Sequence, residues 1–274
     1  MGKKTLCLIG ACILLSAFVF TACDDFYTTS WGTQRKYDLS KVTLTGDNLK
    51  GWVDIAVGNP DLAKELAKKI EGMVGDIEDD RERAKFQSYG VELAFEASGV
   101  GANVLSNVDI ATDMMKAGSD KADEVVKLLD ATLVGFDRSV ANIVAAIVSY
   151  SISGTLPQFN DTYKANTSAS TVGEAAVILI LAAAPDGGFG SAANLKAKFK
   201  EKFNVSGTTT GTGTNTDKTF TPKIQPVSSQ DQALAAYLNF IAGYPPRENE
   251  KTNKFDDNPI TSGLKFIISD VQED

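Results

Sequence analysis

No histidine occurs anywhere in the chain. That removes serine–histidine and cysteine–histidine nucleophilic catalysis, histidine-ligated zinc, and the commonest general base near neutral pH. Cysteine is almost as scarce: Cys7, Cys12 and Cys23 are the only three. Positive charge is in deficit too, with 27 Lys and Arg against 35 Asp and Glu. Nucleic acid and anionic membrane surfaces both select clustered basic residues, so neither is an expected partner. What remains for an enzyme is carboxylate, lysine or tyrosine chemistry.

What the chain does have begins at its amino end. Lys3 and Lys4 precede an apolar stretch from Leu6 to Phe20, and the small pair Thr21-Ala22 follows. A basic n-region, an apolar h-region and a small-residue cleavage site are the three parts of an export signal. The stretch falls short of the ~20 apolar residues that cross a bilayer. It is followed by Asp24 and Asp25 rather than a basic stop-transfer flank. Residues 1–22 are therefore expected to be a signal peptide. Its removal takes Lys3 and Lys4 with it and moves the formal charge from −8 to −10.

The tetrapeptide Phe20-Thr21-Ala22-Cys23 resembles the lipobox of bacterial lipoproteins, with Phe20 where leucine is usual. The resemblance implies that the signal is removed before Cys23, that the Cys23 thiol carries diacylglycerol, and that its new amine is acylated. Palmitate-class chains on one residue give stable anchoring, at ~0.8 kcal/mol per buried methylene. Ordinary secretion is the alternative. Cys7 and Cys12 leave with the signal, so the mature chain holds Cys23 alone and no disulfide within it. The looseness at Phe20 resembles spirochaete lipoproteins, and Asp24-Asp25 resembles the enteric signal for inner-membrane retention. The expected address is the cell envelope, at the periplasmic face of the inner membrane or at the outer membrane.

Residues 23–45 mix aromatics with Thr, Ser and Gly and carry no helical or alternating period, as an acylated tether would. Phe26, Tyr27 and Trp31 are expected to dock on the folded body, or else to sit at the membrane interface. Residues 46–274 read as one helical domain. Asn59-Pro60 is a helix start, followed by Leu62, Leu66, Ile70 and Met73 at helical spacing and a close near Gly75. Asp79-Asp80 opens a longer helix. On it Phe86, Gly90, Leu93, Ala97, Val100, Gly101 and Val104 form the inner face, and Lys85, Ser88, Glu92, Glu96 and Asn103 the outer one. Gly90, Ala97 and Gly101 would let a neighbouring helix approach closely.

Further helices are expected at Ala122 to Phe136, Ser139 to Ser153, Thr171 to Ala184, Ala192 to Phe203 and Gln230 to Ala242, with an apolar stretch at Leu264 to Ile268. Thr171 and Glu174 have capping-box spacing, and Ser191 and Ser229 are candidate caps. The run Ala175 to Ala184 is apolar all round and predicts a central buried helix, a buried strand being the alternative. Residues 204–227, dense in Thr and Gly, predict a mobile loop.

The fold class that results is all-α, an irregular bundle or stacked helical hairpins. Ala233, Tyr237 and Pro245 resemble the second helix of a tetratricopeptide repeat, with Phe240 where that repeat prefers a small residue. The whole design resembles treponemal lipoproteins of helical-repeat type. One such group works beside periplasmic solute-binding proteins of tripartite transporters and passes hydrophobic ligands. That resemblance implies a transporter-associated binding protein and carries over no site residue.

Three groups of residues bear on chemistry. Glu92 and Glu96 are four apart on one helix, as a glycosidase pair would be, but acid and base work needs one of them shifted upward. Among Lys85, Ser88 and Asn103 they are expected to be a solvated face. The Pro185–Ser191 stretch, "PDGGFGS", places backbone N–H groups before a helix start, where they can cradle an anion. Without a P-loop lysine or a preceding strand it is read as a tight turn. The acidic clusters at Ile77–Asp80 and Asp256–Asn258 lack the spacing of a calcium loop. No catalytic residue, metal site or cofactor is thus expected, and Cys23 is the one assigned position. A non-enzymatic envelope lipoprotein that binds another envelope protein is the principal expectation. A binding module for a hydrophobic small molecule, walled by Ala141–Tyr150 and Ala175–Ala184, is the second.

Overall fold

A computed structural model describes residues 37–106, 121–207, 218–243 and 259–271. The signal, Cys23, Trp31, Pro245 and the Asp256–Asn258 cluster lie outside the described residues.

The fold is all-α, as the periodicity predicts. Two amino-terminal helices, α1 (Leu49–Ala56) and α2 (Pro60–Met73), lead into the long α3 (Asp80–Ala97). Asn59 caps α2 by accepting a hydrogen bond from Leu62 N at 3.1 Å. Asp79 caps α3 in the same way, from Glu82 N at 2.7 Å. The helix opened at Asp79 does not run on to Val104 as the face pattern predicts. It ends at Ser98, and Gly99 turns the chain with φ +76° before α4 (Val100–Ser106) begins.

The second half supplies α5 (Lys121–Thr132), α6 (Val140–Ser149), the short α7 (Asp161–Asn166), α8 (Ala169–Ala182), α9 (Ala192–Lys202), α10 (Ser229–Ala242) and α11 (Pro259–Ser269). Two small antiparallel hairpins interrupt them, β1 (Ile152–Ser153) with β2 (Gln158–Phe159), and β3 (Phe203–Ser206) with β4 (Thr219–Pro222). The second corrects the two ends of the expected loop at 204–227, whose residues 208–217 lie outside the described residues. Val205 pairs with Phe220 across it, and Phe203, Val205 and Phe220 are buried. Asn239 holds that hairpin to α10: its Oδ1 accepts from Phe220 N at 2.6 Å and its Nδ2 donates to Phe220 O at 3.1 Å.

One continuous core joins all of this. Helix α8 contains most of the Ala175–Ala184 run, with Ala175, Ile178, Ile180 and Leu181 fully buried, so the central helix is as expected. Helix α10 packs on α6, α8 and α11, and α3 packs on α2, α6, α7 and α8. Gly90 is where α3 passes closest to its neighbours. A Cβ there would meet Ile147 Cδ1 at 2.8 Å and Ile70 Cγ2 at 3.1 Å, which bears out its reading as a close-approach residue. A Cβ at Gly101 on α4 would meet Phe95 of α3 at 3.4 Å, an ordinary contact, so the close approach expected there is not needed.

The amino end also folds further forward than a tether ending at residue 45 would. Tyr37, Leu39 and Val42 pack against the core, and Leu44 is buried. Tyr37 meets Trp52 of α1 edge to face, with centroids 5.7 Å apart. Among the described residues no helix is long and apolar enough to cross a membrane.

Candidate functional site

An open cleft of about 520 Å³ lies where α3 meets the α7–α8 corner. From α3 it receives Arg81, Glu82, Lys85, Ser88, Tyr89 and Glu92. The opposite wall is Asn166, Ser168 and Thr171, and Gly46 and Asp47 close one end. The lining of α3 follows from helical geometry: steps of four, three and four place Arg81, Lys85, Ser88 and Glu92 in one stripe. Lys85 Nζ donates to Gly46 O at 2.5 Å and so fixes the end loop to the helix.

The Thr171–Glu174 capping box gives way to a different arrangement. Ser168 is the cap of α8, accepting from Thr171 N at 3.1 Å. Thr171 and Glu174 are thereby released to face α3. Thr171 Oγ1 donates to Glu92 Oε1 at 3.4 Å, and Ser170 Oγ donates to Glu174 Oε1 at 2.8 Å. Glu174 Oε2 is sealed from solvent with no hydrogen-bond partner, although the residue as a whole keeps some exposure.

Glu92 is therefore not on the solvated face expected of it. The α7–α8 corner covers it, and Ser88 beside it is buried, 9 % exposed. Burial, reinforced by the negative charge of Glu174, pushes the Glu92 carboxyl up to about 7. Burial also raises Glu174. Glu96 is raised for the same reason, opposed by the hydrogen bond it accepts from Gly58 N at 2.8 Å. That bond turns Glu96 toward the α1–α2 connection. The pair brought together is Glu92 with Glu174, from two helices, and not Glu92 with Glu96. Lys50, a cation whose charge Glu92 feels, is held by Asp54 at 2.7 Å. Behind the cleft, Ser88 Oγ lies 3.3 Å from Thr167 Oγ1, and Tyr163 and Tyr237 meet hydroxyl to hydroxyl at 2.6 Å.

The chain matches no protein-family model, no curated protein sequence and no solved structure.

The "PDGGFGS" turn is an anion cradle whose anion belongs to the chain. Asp130 Oδ1 accepts from Phe189 N at 2.7 Å and Oδ2 from Gly190 N at 2.8 Å. Gly188, with φ +80°, is pressed so close that a Cβ would lie 2.6 Å from the Asp130 carboxyl. Its role is to tie the α8–α9 turn to α5, in keeping with the tight-turn reading. The Ile77–Asp80 cluster is likewise structural: Asp79 caps α3, and Asp80 pairs with Arg83 at 2.5 Å. Among the described residues no group of three or more His, Cys, Asp or Glu is placed to hold a metal ion.

Proposed function

We propose that this chain is a lipid-anchored cell-envelope protein, without catalysis of its own, whose helical domain binds an envelope protein partner through the α3/α7–α8 cleft. The anchor rests on the lipobox-like Phe20-Thr21-Ala22-Cys23 and the apolar stretch before it. The observation that carries the binding reading is the cleft itself, an open polar recess with a largely buried acid, Glu92, in its wall. Binding is favoured over hydrolysis because a glycosidase pair must set both carboxyls on the scissile bond. Here Glu92 lines the cleft, whereas Glu174 lies behind it and Glu96 is turned to Gly58.

The hydrophobic-ligand reading is less well supported. The helices it relies on, α6 and α8, put Val144, Ala145, Ile147, Ile178 and Ile180 into the shared core at 0 % exposure.

Two experiments test the proposal on the full chain in its own host. Labelling with an alkyne palmitate analogue should mark the wild type and leave Cys23→Ser unmarked; labelling of both would remove the anchor. A photo-crosslinking residue at Tyr89, in the cleft, should capture a defined protein that the same residue at Lys198 on α9 does not. Equal capture from both positions would remove the cleft as the recognition site.

A further inference from the structure

We propose that the cleft recognises a primary ammonium group, seated against Glu92. The inference rests on the cleft being the recognition surface and names the chemistry it selects.

The first ground is an unbalanced charge. Among the described residues Glu92 has one hydrogen bond, from Thr171 Oγ1, and no cation within ion-pair distance. Behind it stands a second carboxylate, Glu174, with one oxygen sealed and unpartnered. Two acids facing each other across α3 and α8 leave a deficit of positive charge that the described residues do not fill. Lys50 and Asp54 of α1 neutralise one another, and Lys85 is committed to Gly46 O.

The second ground is the fit of the surroundings to an ammonium. Three N–H donors need three acceptors. Glu92 Oε1 stands on the α3 wall, and across the cleft from it are the Thr171 and Ser168 hydroxyls, 2.8 Å apart. Tyr89 adds an aromatic ring, which attracts a cation over its face. A guanidinium pairs best with both oxygens of one carboxylate, and here Glu92 Oε1 is already engaged by Thr171, which favours a point charge over a fork.

Charge elsewhere in the cleft is mixed: Arg81 and Lys85 are matched by Asp47 and Glu82. The ammonium is therefore selected at Glu92 and not by a gradient along the helix. The ammonium has two sources, a lysine side chain on a partner protein or a free amine, and the experiment separates them.

Titration calorimetry on the full chain in detergent, with 6-aminohexanoate as the probe, is the test. Binding is expected, with none for hexanoate or N-acetyl-6-aminohexanoate. Glu92→Gln should weaken it at least tenfold while keeping the circular dichroism and unfolding midpoint of a folded domain. Butylamine should bind as well, since the ammonium alone is recognised. Binding should strengthen as pH rises through about 7, as Glu92 ionises; Lys50, Asp54, Lys85, Tyr89, Thr171 and Glu174 are the groups around it. No binding of either amine, or equal binding by Glu92→Gln, overturns the inference.

Crosslinking from Tyr89 then locates the source. Loss of the captured protein after lysine acetylation of the extract assigns a partner lysine, and capture that survives acetylation while 6-aminohexanoate binds assigns a free amine. Capture that persists in Glu92→Gln, with no amine bound, leaves the cleft as a recognition site and removes the ammonium. Absence of both removes the proposed function as well.

Discussion

Replacing Glu92 by glutamine should make the protein more stable at neutral and alkaline pH and leave it almost unchanged below about pH 4.3. The folded carboxyl titrates at about 7 because it is buried beside Glu174. In an unfolded chain a glutamate titrates near 4.3. The folded state therefore holds the proton more tightly than the unfolded state. The stability that this proton contributes is complete below about pH 4.3 and is lost as pH rises through about 7. A gap of this size is worth about 4 kcal/mol, of which about 2–3 kcal/mol falls between pH 5 and 8. For a domain of this length that corresponds to roughly 5–10 °C in Tm. Glutamine is nearly isosteric with the protonated acid and has no charge to lose, so it lacks this decline. Thermal and urea unfolding of both proteins, followed by circular dichroism from pH 5 to 8, give the comparison. A shallower fall remains in the variant, since Glu174 and Glu96 are raised in the same direction. Parallel wild-type and variant curves would refute the burial of a charge at Glu92, and with it the electrostatic basis of the cleft.

Local signals in the chain account for most of the helices. Asn59, Asp79 and Ser191 each accept the N-terminal hydrogen bond that their position predicts. A cap is a contact across three residues and needs no knowledge of the fold. For α10 the cap is Ser228, one residue before the expected Ser229, because adjacent serines offer the same chemistry. Helix α1 was open to the same reading: Leu49, Trp52, Val53 and Ala56 have its spacing. The β3–β4 hairpin left only two short alternating fragments, Phe203-x-Val205 and Phe220-x-Pro222, on either side of a Thr/Gly-rich stretch.

The site was not legible, for a physical reason. Sorting α3 into an inner and an outer face assumes that a helix is covered on one side. Helix α3 is covered by α2, α6, α7 and α8 together, so its polar stripe is enclosed. The residues that enclose Glu92 lie 79 positions away, at Thr171. Only the competition between Ser168 and Thr171 for the α8 cap hinted at this. Once Ser168 takes the cap, the Thr171 and Glu174 side chains need other surroundings.

Two further perturbations separate packing from polar pairing in this core. Gly90→Ala should lose about 1–2 kcal/mol in urea unfolding, since overpacking against Ile147 and Ile70 outweighs the ~1 kcal/mol gain in helix propensity. Gly51→Ala in α1, where a Cβ meets nothing within 4 Å, should gain up to about 1 kcal/mol; the same sign at both sites would refute the close-approach reading. The buried tyrosines make the sharper case. Tyr163 has a second partner in Thr167, whereas Tyr237 depends on the Tyr163 hydroxyl, 2.6 Å away. Tyr237→Phe leaves Tyr163 with Thr167 and should cost about 1 kcal/mol, whereas Tyr163→Phe strands the Tyr237 hydroxyl and should cost nearer 3 kcal/mol. The double variant buries no stranded hydroxyl, so its cost should fall about 1 kcal/mol or more short of the sum. Equal single costs that simply add would mean that the two hydroxyls do not depend on one another, and that the polar file from Ser88 to Tyr237 is not a connected unit.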